Sequence, residues 1–186
     1  MNLIIIEGTD NIGKDTVISK LCEQFDTVTL IHCSGPQSKI FQSQEQDMKF
    51  KQYAENISYN IYDVTDCIIM NRSHIGEYVY GQIYRGRNSE DILKMINKVD
   101  DILMNRKDLT VKYIQLLSSS IELRKKFDDN KSLSKMNDEL MKKENELFLE
   151  VYEHSNLDKK LIYVNDEDGF LPKEVIFQEV VDFLNE

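Results

Sequence analysis

The chain has few of the features that mark secreted, membrane-spanning or multidomain proteins. It holds two prolines and seven glycines, and no Gly/Ser-rich or Pro-rich linker signals a domain boundary. Its cysteines, Cys22, Cys33 and Cys67, are odd in number, and each lies in an apolar pattern without a close Cys or His neighbour. They are expected to be buried, reduced thiols, which disfavours a disulfide framework or a thiolate metal site. No apolar run approaches membrane-spanning length, and Met1 leads directly into the first predicted strand, leaving no room for a signal peptide. A cytoplasmic protein is expected. Basic residues are also scarce: 23 Lys plus Arg face 33 Asp plus Glu, a formal net charge of -10. That balance disfavours binding along a nucleic acid polymer, which needs a cationic track, but leaves room for a small anion in a local cationic pocket. With 41% hydrophobic residues in 186, the chain is expected to form a single domain, residues 1–186, large enough for a three-layer fold.

The most informative stretch lies at the start. Leu3-Ile4-Ile5-Ile6 is an apolar run ending in Glu7, Gly8 opens a loop, and the loop closes at Gly13-Lys14. Val17, Ile18, Leu21, Cys22 and Phe25 then recur on one helix face. Strand, glycine loop and helix in this order make a phosphate-binding loop. The backbone N–H groups of Asn11, Ile12, Gly13, Lys14, Asp15 and Thr16 would point into the curl, aided by the positive end of the helix. Lys14 is placed to reach the β- and γ-phosphates of a nucleoside triphosphate. Asp15 departs from the motif, because a magnesium-ligating Ser or Thr hydroxyl belongs there. The plain alternative is a strand-turn-helix with a glycine hinge.

Downstream the pattern alternates. Val28–Cys33, Cys67–Met70, Val111–Leu116 and Leu161–Val164 read as further strands. Helical patterns run from about Ile40 to Tyr62 and over Tyr78–Tyr84, Ile92–Leu103, Leu140–Tyr152 and Val175–Leu184, the last entered through Pro172. Such alternation predicts an α/β fold with a parallel five-stranded sheet, helices on both faces and ligands at the carboxyl ends of the strands. Asn97-Lys98-Val99-Asp100 spells the guanine-specificity tetrad of GTPases. Helical spacing of apolar residues runs straight through it, however, and no Asp-x-x-Gly precedes it after a strand.

After the third strand come Asn71-Arg72-Ser73, then Gly76 and Val79-Tyr80-Gly81. With Glu7-Gly8-Thr9-Asp10 and Gly13-Lys14 in the loop, these residues resemble the marks of thymidylate kinases, with Asn71 where that family has Asp. The resemblance continues through Asp108-Leu109-Thr110 into strand four, through Leu123-Arg124, which looks like the start of the lid, and through Phe148, Val151 and Tyr152. Arg72-Ser73 is similar to the related deoxynucleoside kinases. The resemblance implies a three-layer P-loop kinase fold with a small lid at about residues 122–137. The implied activity is transfer of the γ-phosphoryl of ATP, with Mg²⁺, to a pyrimidine deoxynucleoside monophosphate such as dTMP. It also implies that Asp10 contacts the acceptor sugar and that Tyr80 disfavours a 2′-hydroxyl; thymidylate kinases are commonly dimers, so a homodimer is compatible with the resemblance and the oligomeric state stays open. Asn/Lys/Ile-rich composition is compatible with a viral enzyme in a host cytoplasm.

Phosphoryl transfer needs charge neutralisation and exclusion of water, with little covalent chemistry from the protein. Lys14, Arg72 and Arg124 are the candidate catalytic residues, with Arg124 also on the ATP. Arg72 would bridge donor and acceptor phosphates with its planar fork. Arg124-Lys125-Lys126 and the polar run to Lys135 are read as a cationic flap, or else as a solvated helix end. Asp10, Arg72, Gly76 and Tyr80 are the acceptor candidates, and Asp15 with Thr16 the metal candidates. Asp10 has a turn-forming alternative and Tyr80 a core-packing one. Arg85 and Arg87 are expected at a solvated surface, with a hold on the acceptor as the alternative. Cys33-Ser34-Gly35-Pro36-Gln37 holds no carboxylate to deprotonate a 5′-hydroxyl, which favours a monophosphate acceptor over a deoxynucleoside. Lys39, Lys49 and Lys51 are possible helpers for its phosphate. Two other readings stay open: a deoxynucleoside kinase, and a P-loop protein that binds ATP without turnover.

Overall fold

The computed structural model describes residues 1–33, 66–127, 132, 134 and 137–186. Among these, β1 (Asn2–Gly8), β2 (Val28–His32), β3 (Cys67–Asn71), β4 (Thr110–Leu117) and β5 (Lys159–Tyr163) form one sheet in the order β2-β3-β1-β4-β5. Every pairing is parallel. The helices are α1 (Lys14–Cys22), α2 (Gly76–Arg85), α3 (Ser89–Met104), α4 (Ile121–Lys126), α5 (Asp138–His154) and α6 (Lys173–Leu184). The helix expected over 40–62, Ser34 to Gln37, and Lys39, Lys49 and Lys51 lie outside the described residues.

The strands read as unbroken apolar runs because both faces are covered. Leu3, Ile5, Ile68 and Met70 pack with Tyr78, Ile96 and Phe148 of α2, α3 and α5. Ile4, Ile6, Ile69 and Ile114 pack on the other side with Val17, Leu21, Val180 and Phe183 of α1 and α6. Asn88 caps α3 by accepting from Glu90 N and Asp91 N, and Asn137 caps α5 through Leu140 N. The tetrad Asn97-Lys98-Val99-Asp100 lies inside α3. Asp100 is fully buried, where it bonds His74 Nε2 (2.8 Å), Ser155 Oγ (2.8 Å) and Asn156 N, so it ties three helical segments together and faces no ligand. None of the three cysteines forms a disulfide, but only Cys67 is buried; Cys22 and Cys33 are half-buried. Among the described residues, no helix is long and apolar enough to cross a membrane.

Candidate functional site

β1, β3 and β4 end side by side, and the loop after β1 curls over their carboxyl ends. Gly8 has φ 144°, and a Cβ there would sit 2.3 Å from the Leu116 carbonyl oxygen, so only glycine lets the loop leave the sheet at this point. Gly13, at φ 91°, opens α1. Lys14 is buried and folds back over the loop, donating from Nζ to Gly8 O (3.0 Å) and Thr9 O. Burial brings its ammonium down to about 8; Arg72 pushes the same way, while Asp10, Glu7 and Asp15 oppose it.

That shift carries a pH prediction. Triphosphate beside Lys14 favours the ammonium and raises its pKa, so binding takes up a proton wherever the free lysine is neutral. ATP affinity should hold below about pH 7.5 and fall through about 8 and above, with proton uptake in calorimetry at about pH 8.5. An affinity that is flat from about pH 7 to about pH 9 would contradict the buried, depressed lysine.

β3 delivers Asn71 and Arg72 beside the loop. Arg72 N bonds Ile6 O (3.0 Å), which holds the residue at φ 66°. Together with Asn11 at 62° it is a non-glycine residue in the left-handed region, a strain that concentrates at functional sites. The Arg72 guanidinium pairs with Asp10 Oδ1 and lies 5.3 Å from the Tyr80 ring centroid. Three acceptor candidates thus meet in space, and Asp10 does more than turn the chain. Gly76 packs on Glu7, and a Cβ there would lie 3.2 Å from both carboxylate oxygens.

The sequence assigns Glu7 no role of its own, although it ends a buried apolar run at one of the strand ends where the chemistry is expected. Its Oε1 accepts from Ser73 N (2.6 Å), Ser73 Oγ (2.9 Å) and Gly76 N (3.1 Å), pinning the turn that carries Arg72. Burial raises its pKa, with Arg72 and these bonds working against the rise. Its other oxygen, the Thr9 hydroxyl and the Tyr80 hydroxyl are all buried without a hydrogen-bond partner among the described residues. Orphaned polar atoms cost free energy unless something satisfies them, and here they gather at the carboxyl ends of β1 and β3.

Asp15 and Asn71 also meet. Asn71 Nδ2 donates to Asp15 Oδ1 at 2.8 Å and lies 3.2 Å from His32 Nδ1. Thr16 is half-buried one residue on.

Arg124 is neither a solvated helix end nor exposed. It is 1% accessible and donates to Met141 O (3.0 Å), Asn145 Oδ1 (3.0 Å) and Glu144 Oε2 (2.7 Å), while Glu144 also accepts from the Tyr84 hydroxyl. Asn145 Nδ2 bonds Ser118 O (2.8 Å), and Ser118 Oγ bonds Asn165 Oδ1 (2.9 Å), so one polar chain joins α4, α5 and the ends of β4 and β5. Lys125 pairs with Asp138. The rest of the flap expected to Lys135 lies largely outside the described residues. Arg85 corrects its expectation of a solvated surface: it forms an ion pair with Glu77 in which both side chains are 6% exposed.

Beside the loop, Phe127, Phe170, Leu171, Ile176 and Phe177 wall a cavity of about 250 Å³ whose floor is Asn11, Ile12, Gly13 and Thr16.

No protein-family model matches the sequence, and no curated protein does. Solved structures do match in shape. The YorR protein of Bacillus subtilis, in complex with phosphorylated GDP, superposes with a TM-score of 0.71 at 17% identity, over 98% of this chain and 95% of its own. Thymidylate kinase from Ehrlichia chaffeensis gives 0.59 at 14% identity over 99% and 98%. Deoxyadenosine kinase from M. mycoides, with dCMP and dCDP bound, gives 0.57 at 14% over 98% of each chain. The chain has the α/β fold of the P-loop kinases.

Proposed function

We propose that this protein is a nucleotide kinase that moves the γ-phosphoryl of ATP to a pyrimidine deoxynucleoside monophosphate, dTMP or a related dNMP. The observation that carries the reading is Arg72, strained and clamped beside the phosphate loop, between Asp10 and Tyr80. Orphaned polar atoms around it mark where a ligand would be satisfied. Thymidylate and deoxyadenosine kinases among the structural neighbours support this class.

In this reading the loop N–H groups and Lys14 hold the donor phosphates. Arg72 leaves Asp10 for the acceptor phosphate, and its fork neutralises charge on the group in transit. An oxygen of the acceptor monophosphate bonds to Pγ as the bond from Pγ to the ADP oxygen breaks, and no base is required because that acceptor is already ionised. Asp10, freed from Arg72, takes the acceptor sugar, and the buried Tyr80 ring crowds its 2′ position. The second reading, a deoxynucleoside kinase, draws on Arg72-Ser73. ADP release against a panel of deoxynucleosides and their monophosphates decides between them: turnover of deoxynucleosides alone replaces the first reading with the second. No turnover with either class leaves a protein that binds ATP without reaction.

The residues present fit a magnesium ion. Asp15 uses one oxygen to accept from Asn71, and its other oxygen has no protein partner among the described residues. Asp15 and Thr16 would hold Mg²⁺, which neutralises phosphate charge when bound. Related loops pair a hydroxyl after the lysine with an acid after a neighbouring strand; here the acid is on the loop and the neutral amide on the strand. Asp15→Ser and Asn71→Asp should each impair kcat at limiting Mg²⁺ and weaken Mn²⁺ binding. The double variant should recover much of both, with a coupling above about 1 kcal/mol. Additive losses, or a harmless Asp15→Ser, would sink the exchange.

A further inference from the structure

The carboxyl end of β2 brings a third side chain to the pair formed by Asp15 and Asn71. His32 and Asn71 are register partners on adjacent parallel strands, so their side chains stand on the same face of the sheet. The ladder runs on past them, with Cys33 N donating to Asn71 O at 3.0 Å, which holds the end of β2 against β3. Asn71 is buried, and its amide nitrogen lies 2.8 Å from Asp15 Oδ1 and 3.2 Å from His32 Nδ1. With the amide reversed, its oxygen would face the Asp15 carboxylate, so the nitrogen belongs on this side. An amide nitrogen only donates. His32 Nδ1 is therefore the acceptor, and the proton of the neutral ring sits on Nε2. One N–H of Asn71 goes to the loop acid and the other to the β2 imidazole.

We infer that His32 is a positioning residue for the metal: by holding the second N–H of Asn71 it keeps the amide on Asp15, which confines that carboxylate to one oxygen and selects magnesium over calcium. This rests on the magnesium site proposed above. Calcium takes six to eight oxygens in a flexible shell and readily uses a carboxylate through both oxygens, whereas magnesium demands a near-ideal octahedron and keeps several waters. A carboxylate with one oxygen committed to an amide has lost the two-oxygen mode, which is the one that favours the larger ion. Asn71 needs a second anchor to do this. Asp15 is exposed, in the first turn of α1, so water competes there for the amide. His32 is rooted in the β2–β3 ladder and supplies the anchored end.

The test uses Mn²⁺ bound to the protein–ATP complex without acceptor, read by electron paramagnetic resonance and displaced by Mg²⁺ or Ca²⁺, with free ATP as the baseline. The intact complex should prefer Mg²⁺ over Ca²⁺ by about tenfold more than free ATP does. His32→Leu should lower that preference about fivefold, the weight of one hydrogen bond. His32→Asn, which returns an acceptor to the Nδ1 position, should keep it within about twofold. ATP affinity in EDTA should be unchanged in both variants, since His32 is exposed and acts only through Asn71. An intact complex no more selective than free ATP, a silent His32→Leu, or an equal loss in His32→Asn would overturn the inference and leave the magnesium site standing. If Asp15→Ser binds Mn²⁺ as tightly as the intact complex, the magnesium site falls and the inference with it.

Discussion

Arg72→Ala should lower kcat by roughly a hundredfold or more, about 3 kcal/mol of transition-state stabilisation, while ATP affinity changes little. The guanidinium is held ready, paired with Asp10 and packed over Tyr80, and the turn that carries it is pinned by Glu7 through Ser73 and Gly76. Such preorganisation matters most for charge that shifts during the reaction, so kcat should fall more than binding. Arg72→Lys restores the charge without the planar fork and is expected to recover only part of the loss. Lys14→Ala should damage both terms, since that ammonium meets the donor phosphates in the ground state as well. Steady-state kinetics beside direct ATP titration would check the split. An Arg72→Ala enzyme with near-normal kcat would remove Arg72 from the transition state.

Arg124→Ala should first appear as lost stability. The side chain neutralises a buried carboxylate, and taking one partner out of such a pair costs on the order of 3–5 kcal/mol, because Glu144 stays behind without its cation. Thermal unfolding would show a clear drop. Activity then separates two roles. If Arg124 trades Glu144 for phosphate during turnover, Arg124→Ala loses kcat about a hundredfold even at temperatures where it is folded, whereas Glu144→Gln keeps kcat within a few-fold. If its work is only to join α4 to α5, the two variants lose stability together and keep comparable kcat.

The elements with long, regular patterns were legible in the sequence. The apolar run of β1 and the glycine loop are local signals, and the periodicity of α3 outweighed a misleading tetrad. The strand at 161–164 was placed late: β5 runs Lys159–Tyr163, because Lys159 and Lys160 reach the sheet edge beside Tyr113 and Ile114, where a long amphipathic stem can lie. Pairings between distant residues were mostly hidden. Asp10, Arg72 and Tyr80 were each singled out, yet the ion pair and ring contact that join them depend on where β3 lies beside β1. The flap reading of Arg124 rests on a run of like charges, which usually marks a solvated face, and on its place after strand four, where the resemblance puts a lid. Its partners Glu144 and Asn145 sit in a helix whose charges read the same way. Ser118, Asn145 and Asn165 carried no signal at all, since a small polar residue looks alike in a loop and in a buried network.

The sheet order bears on how the protein must be made. β1 pairs with β3 on one side and β4 on the other, and both partners come later in the chain. Until Thr110–Leu117 has left the ribosome, Leu3-Ile4-Ile5-Ile6 presents an open, uncharged, β-branched edge, the kind of segment that seeds aggregation. A charge placed within the run to guard it would be buried on either face of the finished sheet. Soluble yield should therefore fall the longer the half-built sheet waits for β4, and a holdase chaperone should raise it more than any substitution that stabilises the native state.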